Sequence, residues 1–556
     1  MSAELHASSS ITESSQQQEP QLKHNIWLAF AAIALTVCLV IMDGTIVNIA
    51  IPHIMTGLKL SFTSSEWIIT IYSLFLASFL ITFGRISDHI GRQKMMILGL
   101  ITFGIGAIFS ACSHDLALML IGRCIQGLGG SMIMPTTIAS INTLFKGKSR
   151  IMAFAMYGIA ISVVVAIAPL IGGLFATYLT WRWIFWFDLI VAIIALIFAF
   201  LFLPNTHGEE IKGRFDFLGF IISVIAFSCI VFALTDGKNY GWWYAKDHTQ
   251  AWWGLSRIVW IALCGILALI IFVWREIALE NAGKSSLMSL EIFKYRSFTL
   301  GTIANCLGMI GEYGVVFLMP LYLENILGMS ALKAGLILCV MGAGAFVSGG
   351  FAEPLVRFTS TKTAVVLGSF LEAIALGGFF FTIRPDASEI KLIYLWLCLY
   401  GLGLGFANAQ LSSVIMIDVP DTKAGQASSL KSTSNQLGSA LGVAIIGTVL
   451  VSSLGTTLPA ALQNMGLPQV AQHGIETAII DSAGSAIGEL KHSHDYLMMP
   501  HSYQIKFDNR INKGFTTAVA DSIGVASLIL CGEAIATCLL PSTKKKETSD
   551  NNVAEQ

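Results

Sequence analysis

Fourteen apolar stretches, each about 20 residues or longer and so long enough to cross a bilayer, follow one another along this chain of 556 residues. Lipid offers no partner to an open backbone N–H or C=O, so runs this apolar must be helices that close their own hydrogen bonds. The expected spans lie near 27–52, 66–84, 94–112, 117–142, 151–176, 183–203, 216–235, 255–275, 298–319, 332–353, 363–383, 391–416, 426–452 and 515–540. Charged residues make up 12% of the chain, against about 25% in an ordinary soluble domain. An all-α polytopic membrane protein is therefore expected. A net charge of −1 gives no argument for nucleic-acid binding. The ten cysteines are scattered singly, with no C-x-x-C spacing to suggest a zinc site or a disulfide framework. The Ser/Gln-rich start reads as a disordered tail with no cleavable signal pattern, so the first apolar run is expected to stay as a span.

Lys and Arg set the expected orientation. With the N-terminus inside, cytoplasmic loops collect Arg85, Arg92, Lys94, Lys146, Lys148, Arg150, Lys212, Arg214, Arg275, Lys284, Lys294, Arg296, Arg357 and Lys362. Lys544, Lys545 and Lys546 fall on the same side, and the outer loops hold few cations. Both termini are expected in the cytoplasm of a cell whose inner membrane holds the chain. Two outer segments stand apart. Trp242, Trp243, Tyr244, Trp252 and Trp253 suit an aromatic belt at the membrane surface. The connection from about 453 to 514 is the longest polar one, with Ile475, Ile479, Ala483, Ile487 and Leu490 spaced as on a surface helix. Its His492, His494, Asp495 and His501 read as a solvated tract rather than a metal site.

Gly84 to Lys94, G-R-I-S-D-H-I-G-R-Q-K, is a charged tract between two apolar runs. Two glycines, Gly84 and Gly91, bracket Asp88, and Arg85, Arg92 and Lys94 surround it, which suits a tight turn stapled by charge-assisted hydrogen bonds. It has an echo without gaps. Gly349 matches Gly84, Glu353 matches Asp88 and Arg357 matches Arg92, an offset of 265 residues. The small-residue run Gly127–Gly130 likewise has a counterpart at Gly401–Gly405. Two six-helix halves related by duplication are therefore expected, with a site at their interface and spans seven and eight inserted between them.

Ionisable groups inside spans are costly unless paired or solvated, so they are the functional candidates. Asp43 sits on the first span of one half and Glu312 on the first of the other; the repeat offset carries Asp43 to Gly308, one turn before Glu312. Either carboxyl can couple protons, bind substrate or make a structural hydrogen bond. Arg123 cannot shed its charge and either tunes a carboxyl or bridges helices. Glu372, Lys431, Asp521 and Glu533 read as charges facing a wet cavity or a helix end. In A-I-A-P-L-I-G-G, Pro169 bends a helix while Gly172 and Gly173 allow close contact, as a pivot, a seal or plain packing.

Taken together, these motifs resemble the fourteen-span drug:proton antiporter branch of the major facilitator superfamily, the multidrug efflux permease type. The resemblance rests on D-G-T-I-V-N-I-A-I-P in the first span, the Gly84–Lys94 tract, G-R-C-I-Q-G-L-G-G at Gly122–Gly130, P-L-I-G-G, W-R-W-I-F-W at Trp181–Trp186 and A-G-Q-A-S-S-L at Ala424–Leu430. It implies the major facilitator fold, with Arg85 and Asp88 in a cytoplasmic gating clamp, Arg123 linked to proton coupling, and Pro169, Gly172 and Gly173 in the antiporter motif. The chain departs from the pattern at three places. Ala168 stands where a glycine is usual, Asp188-Leu189-Ile190 where Asn-Val-Pro is usual, and Lys431 takes the place of an arginine near Asn435. Asp188 and Lys431 are therefore expected to shape substrate choice.

The expected organisation is a tail at 1–26, a six-helix half at 27–203, an inserted pair with linkers at 204–297, a second half at 298–540 and a tail at 541–556. The expected function is proton-coupled export of amphipathic or cationic small molecules by alternating access, with no cofactor beyond the proton gradient. Expected partners are the substrate, protons and lipid; a periplasmic adaptor is left open. A dedicated exporter of one metabolite, such as a siderophore or lipid-like compound, is the alternative. A receptor or scaffold on the same fold is disfavoured by the lack of a signalling domain. An enzyme is disfavoured by the lack of a nucleophile–base pair, metal cluster or phosphate loop.

Overall fold

The computed structural model describes the chain apart from residues 1–18, 207–215, 245–250, 283–286, 288–289, 386–389, 421–423, 464, 466–467, 492 and 542–556. The side chains of Asp88, Lys148, Glu353, Arg357 and Asp495 also lie outside the described residues, as do Lys212, Arg214, Lys246, Lys284, His492 and Lys544 to Lys546. Among the described residues, fourteen helices are long and apolar enough to cross a membrane. The first half comprises α1 (Glu19–Leu58), α2 (Phe62–Ile90), α3 (Arg92–Ala111), α4 (Leu116–Leu144), α5 (Gly147–Tyr178) and α6 (Arg182–Phe202). The inserted pair is α7 (Phe217–Tyr240) and α8 (Arg257–Asn281), with a two-residue hairpin of β1 (Ala251–Trp252) and β2 (Leu255–Ser256) between them. The second half comprises α9 (Arg296–Asn325), α10 (Ala331–Phe358), α11 (Thr361–Thr382), α12 (Ile390–Met416) and α13 (Ala424–Leu462). It then passes through the short helices α14 (Gln469–Asp481), α15 (Ala486–Lys491) and α16 (His494–Leu497) to the last span, α17 (His501–Cys538).

Helix starts are written in the local sequence. Ser61, Asp115, Asp216, Ser256, Ser330 and Ser360 each accept a hydrogen bond from a backbone N–H in the first turn of the helix that follows, an N-cap that satisfies an otherwise orphaned donor. The helices outrun the apolar runs that announce them. α13 continues to Leu462 and α17 begins at His501, so the connection expected at 453–514 is shorter. It is also folded against the bundle rather than laid on the surface. Ile479, Ala483 and Ile487 are buried in the same core as Phe515 and Val519. The chain breaks between α14 and α15 at Ala483 and Gly484, both with positive φ.

The two halves repeat their packing. α1 packs on α5 and α6, α2 on α4, and α3 on α4 and α6; correspondingly α9 packs on α13 and α17, α10 on α12, and α11 on α12 and α17. Across the halves, α5 lies along α10 and α2 along α13. α7 and α8 pack on one another, and α7 rests against α2 and α13. One end of the bundle, the turn face, carries the α2–α3 and α10–α11 turns. The other, the cap face, carries the α1–α2 link and the α14–α16 segment.

Candidate functional site

The centre of the first half is a buried charge cluster drawn from five helices. Arg123 on α4 is 1% exposed and Asp43 on α1 is 0% exposed; Arg123 Nη1 stands 2.6 Å from Asp43 Oδ1. The rest of the guanidinium is committed as well. Its Nε donates to the Ile68 carbonyl on α2 at 3.1 Å, Nη1 also donates to Gln126 Oε1 at 3.1 Å, and its plane lies 4.3 Å from the Tyr72 ring. Arg123 and Gln126 are three residues apart on α4 and share a face. The Gln126 amide donates to Asp43 Oδ1 at 3.3 Å, and its oxygen accepts from Ser110 on α3 at 3.1 Å.

Asp188 on α6 completes the cluster. It is fully buried and lies against the Asp43 carboxyl, within the field of Arg123. Asp43 Oδ2 and both oxygens of Asp188 face no donor among the described residues. An ionised carboxylate only accepts hydrogen bonds, so two carboxyls in contact are satisfied when a proton lies between them. Two acids against one guanidinium hold a net charge of −1 without that proton and zero with it.

The remaining candidates fall elsewhere. Glu312 on α9 is half-buried and bonded to Asn408 on α12, so it belongs to the second half and does not meet Asp43. Lys431 on α13 donates to Ser412 on α12, and no bond links it to Asp188 among the described residues. Gly84 lies on α2 with Pro135 of α4 3.3 Å and Ser429 of α13 3.7 Å from where a Cβ would stand, at the meeting of the halves. The Gly84–Lys94 tract is not a loop: α2 runs unbroken to Ile90 and only Gly91 separates it from α3. Gly91 has φ +105°, and a Cβ there would collide with Asn205, so only glycine fits. Arg92 donates to the Ala139 carbonyl at 2.9 Å and to Thr143, both on α4, which clamps the turn to its own half. Arg85 is half-buried on α2, and the Asp88 side chain lies outside the described residues.

Pro169, Gly172 and Gly173 lie inside α5, where they seat it between α1 and α10. A Cβ on Gly172 would stand 2.9 Å from Ile46 of α1, and one on Gly173 would meet the Ala331 carbonyl at the start of α10. Leu332 N–H donates to Thr177 Oγ1 at 2.9 Å across the same seam. Nothing lies within 4 Å of where a Cβ on Gly350 of α10 would stand. His53 of α1 and Glu324 of α9 meet at 3.2 Å near the cap face.

The sequence profile of the Major Facilitator Superfamily matches residues 33–443. The chain belongs to the Major Facilitator Superfamily. It is 27% identical to the tetracenomycin C resistance and export protein of Streptomyces glaucescens over 92% of each chain. It is 29% identical to the puromycin resistance protein pur8 of Streptomyces alboniger, over 82% of this chain and 88% of that protein. The riboflavin transporter RibZ of Clostridioides difficile is 27% identical over 77% of this chain and 89% of its own length. A crystal structure of a bacterial homolog to the human lysosomal transporter Spinster, inward-facing and unoccupied, superposes with a TM-score of 0.60 at 15% identity, covering 94% of this chain and 98% of that one. The fold is the major facilitator fold, and the protein is a multi-pass membrane transporter. Within it the Asp43–Arg123–Asp188 cluster sits inside the first half rather than between the halves, behind the α1–α5 seam.

Several polar partners in this major facilitator protein were not singled out from the sequence. Gln126 and Tyr72 complete the charge cluster, Glu324 pairs His53, and the Trp67 indole N–H donates to Asp236 at 2.7 Å, tying α2 to the inserted α7. Gln126 stands in the quoted G-R-C-I-Q-G run and could have been found by its three-residue spacing from Arg123.

Proposed function

We propose that this transporter exports amphipathic or cationic small molecules by alternating access, driven by protons that bind at Asp43 and Asp188 beside Arg123. The observation that carries the reading is the cluster's stoichiometry: two fully buried carboxyls in contact against a single guanidinium. A net buried charge is costly, so the proton-loaded, neutral cluster suits a closing transition and the unloaded one does not. A pH unit supplies about 1.4 kcal/mol per proton and 100 mV about 2.3 kcal/mol per charge, enough to concentrate a substrate strongly. The relatives named for export or for resistance to tetracenomycin C, puromycin and several drugs support the outward direction and the substrate class. The excess of Lys and Arg on the turn face supports placing that face and both termini in the cytoplasm of a bacterial inner membrane.

Asp43→Asn is expected to abolish pH-driven efflux from proteoliposomes while leaving membrane insertion intact. Undiminished efflux would sink the coupling role. The relative named as a riboflavin transporter supports a second reading, export of one dedicated metabolite. Growth of cells with and without the gene on a panel of toxic compounds separates the two: broad protection favours the first, protection against a single compound the second.

A further inference from the structure

The second half holds a charge cluster of a different kind. Glu372 of α11 and Glu533 of α17 are 1% and 2% exposed, and each lies within the field of the others and of Glu312. The scaffold makes room for both. A Cβ on Gly403 would stand 2.6 Å from Glu372 Cγ, and one on Gly308 would stand 3.1 Å from all three carboxyl atoms of Glu533. Ser369 Oγ donates to Glu533 Oε1 at 3.1 Å. Oε2 of Glu312, of Glu372 and of Glu533 each faces no donor among the described residues.

A separate observation points the same way. The Tyr400 hydroxyl of α12 is fully buried, has no hydrogen-bond partner among the described residues, and lies within electrostatic reach of all three carboxyls. A phenol both donates and accepts, so Tyr400 can bond either form of a carboxyl that swings toward it.

Internal symmetry sharpens the comparison. Gly99 and Gly129 approach each other closely in the first half, with Phe103 beside them; Gly368 and Gly403 do so in the second, with Glu372 in the place of Phe103. Six residues before Gly129 stands Arg123, and six before Gly403 stands Leu397, buried and apolar. The position of Gln126 is likewise taken by Tyr400. The second half has thus gained an acid and lost the cation. Among the described residues no basic group acts on Glu372 or Glu533. α9 presents Glu312 and Tyr313, α11 Ser369 and Glu372, α12 Tyr400 and Asn408, and α17 Glu533. α13 presents Asn435, bonded to Asn305, while its Lys431 is engaged by Ser412.

Three ionised carboxylates cannot share one dry site, because each excludes charge on the next. Among the described residues no three such groups are arranged to hold a metal ion. We propose that Glu312, Glu372, Glu533 and Tyr400 form a second proton-binding site, with the less deeply buried Glu312 as its mouth and the sealed Glu372–Glu533 pair as its store. Loading joins a proton to a carboxylate oxygen and release returns it to water; no other bond changes. The inference rests on the proton-coupled reading above, and adds at least one proton per cycle to the one held at Asp43 and Asp188.

The test uses the proton itself as the probe. Infrared spectra of the purified full-length protein, titrated by pH, report protonated carboxyls through their C=O stretch. At neutral pH the wild type should show such a band, Glu372→Gln and Glu533→Gln should each remove part of it, and Tyr400→Phe should shift it with all carboxyls in place. A neutral-pH band unchanged in both glutamine variants, or unmoved in Tyr400→Phe, overturns the site. In proteoliposomes loaded with ethidium as a cationic probe, each coupled proton supports about a tenfold gradient per pH unit. The limiting ethidium ratio should therefore fall about tenfold per pH unit in Glu533→Gln; an unchanged ratio overturns the added proton. Asp43→Asn reports on the first reading alone, since it leaves the part of the band lost in Glu372→Gln and Glu533→Gln intact.

Discussion

Arg123 carries a charge it cannot lose in a place where water cannot reach it, and the structure accounts for it bond by bond. Asp43, Gln126 and the Ile68 carbonyl take its donors, and Tyr72 takes its face. Removing one member of a buried ion pair strands the other, at a cost of about 3–5 kcal/mol. Arg123→Leu should therefore lower the melting temperature in detergent sharply, and adding Asp43→Asn and Asp188→Asn should recover most of the loss. If Arg123→Leu alone melts like wild type, the guanidinium does not hold the acids. Asp43 and Arg123 stand out in the sequence because charge inside an apolar run is conspicuous. Their pairing across 80 residues does not, since it depends on how α1 and α4 are rotated about their own axes. Asp188 is visible as a departure from the family pattern and invites a role with the cargo, shared with Lys431. The structure instead sets it against Asp43 and leaves Lys431 in the other half.

Among the elements, the link between α2 and α3 shows how local and tertiary information divide. Its glycines and charges mark a turn, yet helical bonding persists through Ile90 because Ser87, His89 and Ile90 are all tolerated in a helix, and only Gly91 adopts a conformation that others resist. The inserted pair is held differently. Asp216, the N-cap of α7, accepts from Arg275 of α8 at 2.7 and 2.9 Å. Burial alone would raise the Asp216 carboxyl, but the bonds from Arg275 and from the N–H groups of Gly219 and Leu218 outweigh it and hold the group below its ordinary range. A depressed carboxyl contributes stability above its unfolded value, about 3.9, and loses it as pH falls through the folded value. Asp216→Asn should thus lower the melting temperature by a constant amount at neutral and mildly acidic pH. The gap between variant and wild type should vanish in strong acid. A gap that widens on acidification would contradict the assignment.

For the molecule as a whole, α5 and α10 pack closely across the halves, from Ala166 and Gly342 to Thr177 and Leu332. The α14–α16 segment lies on the cap face. Asn325 of α9 donates to the Ala483 carbonyl at 3.4 Å, and Ser485 reaches Met55 of α1 at 3.9 Å, so one short stretch touches both halves. Opening this face must break those contacts. Met55→Cys with Ser485→Cys should form a crosslink that stops turnover, with activity restored by reductant; continued turnover in the crosslinked form would show that the segment moves with α1. Length and hydropathy alone determined the number of membrane spans, and the duplicated glycines and acids announced two halves, because both are properties of the chain taken one stretch at a time. Only the tertiary structure decided that Asp43 has a second acid at its side, that the buried acids Glu372 and Glu533 gather in the second half away from its Lys431, and that the polar connection folds down as a cap. Those facts depend on which face of each helix turns inward, and helices apolar on every side leave that to packing.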